Sequence, residues 1–278
     1  MISSLIAFVL FRHIFLRITL RQQPATKHLP PKTQTLLANH LASFLHAVCS
    51  SYLVLSTFAS HPDLLTDLQG LKANHWALAA SRTTVAFSAG YFIADCWDMA
   101  VTGVYGRNLG IWAHHIVTVV CYSAALHKCA LTPYLVLTLL VEFNSIFIHV
   151  RKILVLFYNG FDHLPATAAT AYKFATAGLS ATYVPTRILA NLYITYQVGI
   201  QDRPNWAFPA YTWWMAFLGM VLVNYYNVIL WKQLRSTLRK EKVALALASI
   251  KKDDDATADA PQGAVAEAEG NDAGEFLS

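Results

Sequence analysis

Asp95, Asp98, His114 and His115 fall within 21 residues of one another, at the junction of two apolar stretches. Between the pairs lies a turn containing Gly103, Gly106 and Gly110. Paired carboxylates can hold a metal, share a proton or pair with a base. Imidazole is the side chain best suited to moving protons near neutral pH. Phe87, Tyr91, Asp95 and Asp98 sit at i, i+4, i+8 and i+11, so they share one helical face. His114 and His115 are adjacent and point about 100° apart on a helix. They therefore cannot both ligate one metal, and no metal site is expected. One imidazole would face a cavity while the other bonds a neighbouring helix. Residue types alone leave catalytic and structural roles open. Asp98, nearest the turn, is expected to be solvated, and Asp95, one turn deeper, is not.

A second polar set lies in TPYLVLTLLVEFNSIFIHVRKILVL, residues 132–156. Glu142, Ser145, His149 and Lys152 fall within about 80° of arc, at about 100° per residue. Asn144 and Arg151 lie on the other side. A helix polar on two sides must touch protein or water on both, so this one is expected to be central. Glu142 falls near its middle and needs a histidine or arginine from a neighbouring helix. Arg187 and Asn191, at i and i+4, follow Pro185, which is expected to kink its helix. His40 and His46 read as hydrogen-bonding groups between helices.

The elements carrying these residues are apolar enough for a bilayer. The chain is 55% hydrophobic and 13% charged, with mean hydropathy +0.39, against about 25% charged in soluble domains. Stretches at about 38–60, 76–98, 110–127, 132–156, 168–200 and 209–231 match the roughly 20 residues of a spanning helix. Each far exceeds the 10-residue strand of a membrane barrel. The fold class is therefore all-α: a polytopic membrane bundle with a six-helix core. Residues 1–32 form an N-terminal hydrophobic and basic segment, 33–236 the membrane domain, and 237–278 a tail with a disordered acidic end. The run Ile2–Phe11 is about half a span, leaving two options, an additional spanning helix or an anchor.

Charge sets the orientation. Residues 253–278 hold eight acids and no lysine or arginine, so the rest carries 21 bases against 8 acids, a net +13. With a cytoplasmic C-terminus, the inside segments hold Arg21, Lys27, Lys32, Arg107, Arg151, Lys152 and the cluster after 231. The outside loops then hold Lys72, Lys128 and Arg203, as the positive-inside rule requires. No compact basic motif points to nucleic acid. The four cysteines form neither a zinc pattern nor a disulfide framework.

In order, FSAGYFIADCWD, the glycine-bearing turn, WAHHIV and LTLLVEFNSIFIHVR resemble the TLC family, the TRAM, LAG and CLN homology domain. The likeness is greatest to the subgroup called TLC domain-containing proteins. It implies about six helices around a membrane-embedded cavity. The family's histidine pair falls on His114 and His115, and its acid after Leu-Leu-Val on Glu142. Its downstream positions fall on Asn144 and Arg151, its penultimate-span arginine on Arg187, and its first carboxylate pair on Asp95 and Asp98. With His149 and Asn191, the last five of these residues, Asn144, Arg151, Arg187, Asp95 and Asp98, would line a lipid cavity or polar core. The resemblance implies a plasma-membrane regulator of phospholipid composition and fluidity, limiting polyunsaturated acyl chains. Its partners would be membrane lipids, phospholipids or fatty acyl chains, and no cofactor is implied. Ceramide synthases share the domain, and their chemistry implies an alternative. Acyl-CoA would be a cosubstrate, and His114 or His115 with Glu142 would supply acid and base. Their His-Asp-x-x-Asp group is Glu-Phe-Asn-Ser here, which favours the non-enzymatic reading. A calcium-channel modulator is a third, weaker one.

Overall fold

The computed structural model describes residues 1–103, 106, 109–161 and 163–258. Among these, the regular elements are helices, and there is no strand. Helix α1 runs over Ile2–Gln22, with a π segment at Phe11–Leu16. Helix α2 spans Pro31–Ser60, α3 His75–Thr102 and α4 Leu109–Lys128. Helix α5 covers Thr132–Phe157, with a tightened turn at Leu139 and Leu140. Helix α6 joins Ala166–Tyr183, a π segment at Val184–Leu189, Ala190–Tyr196 and a second π segment at Gln197–Gln201. Helix α7 runs over Ala210–Ala258. Met1–Asn227 form one compact unit, and the chain from Val228 belongs to a second.

Local chemistry sets the ends. Pro31 and Pro133 occupy first turns, where a missing N–H costs nothing. Asn74 Oδ1 accepts from the Ala77 amide at 2.9 Å and caps α3. Gly103 closes α3 at φ +58°, a left-handed conformation that glycine adopts without penalty. Pro185 lacks the N–H that would continue the α ladder, and the π segment over Val184–Leu189 absorbs the defect. The kink expected at Pro185 is therefore a local widening of the helix.

Ile2–Gln22, Pro31–Ser60, Thr132–Phe157 and Ala210–Lys240 are long and apolar enough to cross a membrane. Helices α3 and α4 carry the acidic and histidine groups of the site, and α1 its arginine. The protein is a multi-pass membrane protein. The N-terminal stretch forms a full 21-residue helix. It lies parallel to α3, with Ser4 on Phe87, Phe8 on Tyr91 and Arg12 on Asp95, each pair 83 residues apart. Gly90 permits the approach. A Cβ there would lie 2.7 Å from both Leu5 N and Met1 O. Helix α5 packs between α2 and α6, in the central position that its two polar sides require.

Candidate functional site

The carboxylates of α3 are the centre of the site. Asp95 and Asp98 are 3% and 1% exposed, and Arg12 of α1 is 3% exposed. Arg12 Nη1 donates to Asp95 Oδ1 at 2.8 Å, and Nη2 lies 2.6 Å from Asp98 Oδ2. Asn39 Nδ2 of α2 donates to the same Asp95 oxygen at 3.0 Å. On the other side, His115 Nδ1 of α4 lies 3.0 Å from Asp95 Oδ2. His13 Nε2 lies 3.5 Å from Asp98 Oδ1. Adjacent residues on a regular α-helix point about 100° apart. The π segment that holds Arg12 and His13 widens the turn and lets both meet one carboxylate. Three helices thus converge on two acids of a fourth, and each buried charge has a partner, as burial demands.

This overturns the expected solvation of Asp98. Sequence reasoning placed it by distance from the turn and did not count Arg12. The N-terminal arginine was the missing base. The signal was present, because Arg12 sits in an apolar helix that contains no acid of its own.

A second layer lies between α2, α3 and α5. The His46 ring stacks on Tyr91 with centroids 3.8 Å apart and planes 10° apart. His46 Nε2 is 2.9 Å from Ser50 Oγ, and its Nδ1 is 3.8 Å from Glu142 Oε2. Tyr91 Oη donates to Ser43 Oγ at 2.8 Å. Glu142 thus has His46 3.8 Å away, with Arg187 and His115 also within electrostatic reach of its carboxylate. His115 lies nearer to Asp95, at 3.0 Å.

The remaining candidates separate into three groups. Arg187 donates through Nε to Asn144 Oδ1 and through Nη2 to Ser145 Oγ, both at 2.8 Å. Asn144 donates in turn to Leu179 O and Thr182 Oγ1. Asn191 and Asn227 both donate to the Arg187 carbonyl, at 2.8 and 2.9 Å. Arg151 donates to Tyr172 Oη at 2.6 Å and lies 4.8 Å from that ring's centroid. His149 Nδ1 faces His40 Nδ1 across 3.2 Å, joining α5 to α2.

His114 is half-buried, edge-on to Phe92 at 6.2 Å and 5.5 Å from His115 between centroids. Among the described residues it makes no side-chain hydrogen bond. The histidine pair is thus split as its 100° offset predicts, with one imidazole bound and its neighbour not. Chemically, the site offers an acid-backed imidazole, His115, beside an uncommitted one, His114.

The TLC domain family model, for TRAM, LAG1 and CLN8, matches residues 37–234. TLC domain-containing protein 2 of Danio rerio is 25% identical over 214 residues, 73% of this chain and 81% of the relative. TLC domain-containing protein 1 of Homo sapiens is 31% identical over 126 residues, 45% of this chain and 49% of the relative. TLC domain-containing protein 2 of Homo sapiens is 32% identical over 119 residues, 42% and 43%. The chain thus spans four-fifths of the fish relative and about half of each human one. Helix α1, with Arg12, lies ahead of the matched region. From residue 37 to residue 234 this chain belongs to the TLC domain family of membrane proteins.

Proposed function

We propose that this protein regulates membrane phospholipid composition and fluidity by holding phospholipid or acyl chains within its helices. It would limit the incorporation of polyunsaturated chains. The observation that carries this reading is the closed Arg12–Asp95/Asp98–His115 network. His115 and both carboxylates are committed to protein partners 2.6–3.0 Å away. Groups so engaged hold helices in register, leaving the surrounding apolar surfaces to meet lipid. Similarity to TLC domain-containing proteins supports the lipid setting. Loop charge supports a cytoplasmic C-terminus, and the subgroup resemblance favours the plasma membrane. No cofactor is needed.

One observation favours an acyltransferase instead. Asp95 backs His115, and His114 beside it is uncommitted. The imidazole, backed by its acid, could take the proton of a hydroxyl or amine acceptor as that oxygen or nitrogen bonds to the acyl carbon; the C–S bond of acyl-CoA then breaks and CoA leaves as the thiol, carrying the proton. Glu142, 3.8 Å from His46, would then contribute only at a distance.

Acyl-chain lipidomics on cells lacking the protein and fed a polyunsaturated fatty acid tests both readings. Loss of the protein is expected to raise phospholipid unsaturation. Wild type, His114→Ala, His115→Ala and Glu142→Ala are then reintroduced at matched abundance. Rescue by His114→Ala supports the non-enzymatic reading, and failure at His114 with the fold intact supports transfer. An unchanged lipidome sinks both and leaves channel modulation.

A further inference from the structure

The segment that leaves the last span is more ordered in its chemistry than an orientation signal requires. Helix α7 continues unbroken through residues 228–258. At 100° per residue, Trp231, Leu234 and Leu238 fall within about 60° of arc, and Lys232, Arg235, Arg239 and Lys240 within about 140°. The four bases are exposed and the three apolar residues half-buried. The Arg235 guanidinium lies 6.0 Å from the centroid of the Trp231 ring. Indole and guanidinium are typical of the headgroup level. The positive-inside rule needs only a count of charges near a span. It does not need them segregated from leucines.

The charge is also dense. Residues 232–252 hold seven bases, adding Lys242, Lys251 and Lys252, against one acid, Glu241. At 1.5 Å per residue, the nine residues from Lys232 to Lys240 span about 13 Å. Most of that lies within one screening length, about 8–10 Å, of the surface where the span ends. Basic clusters directly beyond a spanning helix meet anionic headgroups there.

We propose that residues 232–240 form a docking surface for the anionic phospholipid headgroups of the leaflet at which α7 emerges. The basic arc lies on the phosphates and serines of that leaflet, and Trp231, Leu234 and Leu238 seat at the boundary. Lipid of the opposite sign to the cluster would thereby be held around the protein. The eight acids of residues 253–278 are the competing occupant within the same chain. This proposal does not rest on the acyl-chain reading and is tested without it.

The test uses the full chain in phosphatidylcholine nanodiscs, with and without phosphatidylserine, and follows hydrogen exchange over residues 228–252. Phosphatidylserine is expected to slow exchange there. The slowing should disappear at high salt. It should also disappear in Lys232→Gln/Arg235→Gln/Arg239→Gln/Lys240→Gln, with exchange in α2 and α5 unchanged as the control on folding. Each single Lys or Arg replacement should weaken the effect about fivefold. Equal exchange in both lipids overturns the proposal, as does slowing that survives the fourfold replacement. If exchange is slow even in phosphatidylcholine and quickens in Asp253→Asn/Asp254→Asn/Asp255→Asn, the occupant is the acidic segment and the lipid proposal fails.

Discussion

Arg12 and Arg187 both place a guanidinium among packed helices, and they are neutralised in opposite ways. Arg12 meets two carboxylates, Asp95 and Asp98, at 2.8 and 2.6 Å. Arg187 meets an amide oxygen and a hydroxyl, Asn144 and Ser145, with Glu142 within electrostatic reach. The first arrangement is strong in both directions, because removing either sign strands the other. In the second, a lost cation leaves two neutral hydrogen-bond partners, Asn144 and Ser145, and Glu142 as a charge farther off. The α1–α3 side of the bundle is therefore expected to unfold as one unit. The α5–α6 side should tolerate substitution.

The sharpest way to break this comparison is Arg12→Ala. It removes the guanidinium that two buried carboxylates share, leaving Asp95 to His115 and Asn39 and Asp98 to His13, and is expected to cost about 3–5 kcal/mol. Equilibrium unfolding in mixed micelles would measure it. Arg12→Met combined with Asp95→Asn and Asp98→Asn should recover most of that loss, since no charge is stranded. If Arg12→Ala alone is as stable as wild type, the network is not what holds α1.

Arg187→Met should cost less, about 1.5–3 kcal/mol for the lost charge-assisted bonds. A loss as large as that of Arg12→Ala would erase the distinction between the two sides and make Glu142 the true partner of Arg187. The smallest effect, about 0.6 kcal/mol, is expected for Asn227→Ala. The Arg187 carbonyl keeps its bond from Asn191 in that variant. The same unfolding assay reads all three.

The two sides also differ in how far they can be read from sequence. Helical periodicity put Asp95 and Asp98 on one face, separated the two histidines and gave residues 132–156 two polar sides. All are local properties, repeated every few residues. Pro185 marked its own helix defect for the same reason. Partners are another matter. Arg12 and Asp95 are 83 residues apart, and no periodicity encodes which helix lies beside which. Depth calls for a histidine or an arginine beside Glu142, and packing of α5 against α2 and α6 brings it both, His46 at 3.8 Å and Arg187 within electrostatic reach. Asp98 was judged by distance from a turn, whereas the length and register of α1 decide its burial. Buried charge announces that a partner exists and leaves its identity to topology.

The 83-residue offset between α1 and α3 has a consequence for synthesis. Arg12 leaves the ribosome well before Asp95 has been made. At about 5–20 residues per second, the interval is about 4–17 s. During that interval the first helix is a poor passenger for the lipid core, carrying an uncompensated cation with no acid in its own segment. It must wait at the translocon or the water boundary until the third helix arrives. Only then can Arg12 enter with Asp95 and Asp98 beside it, so the final step of insertion is written by residues at opposite ends of the first hundred.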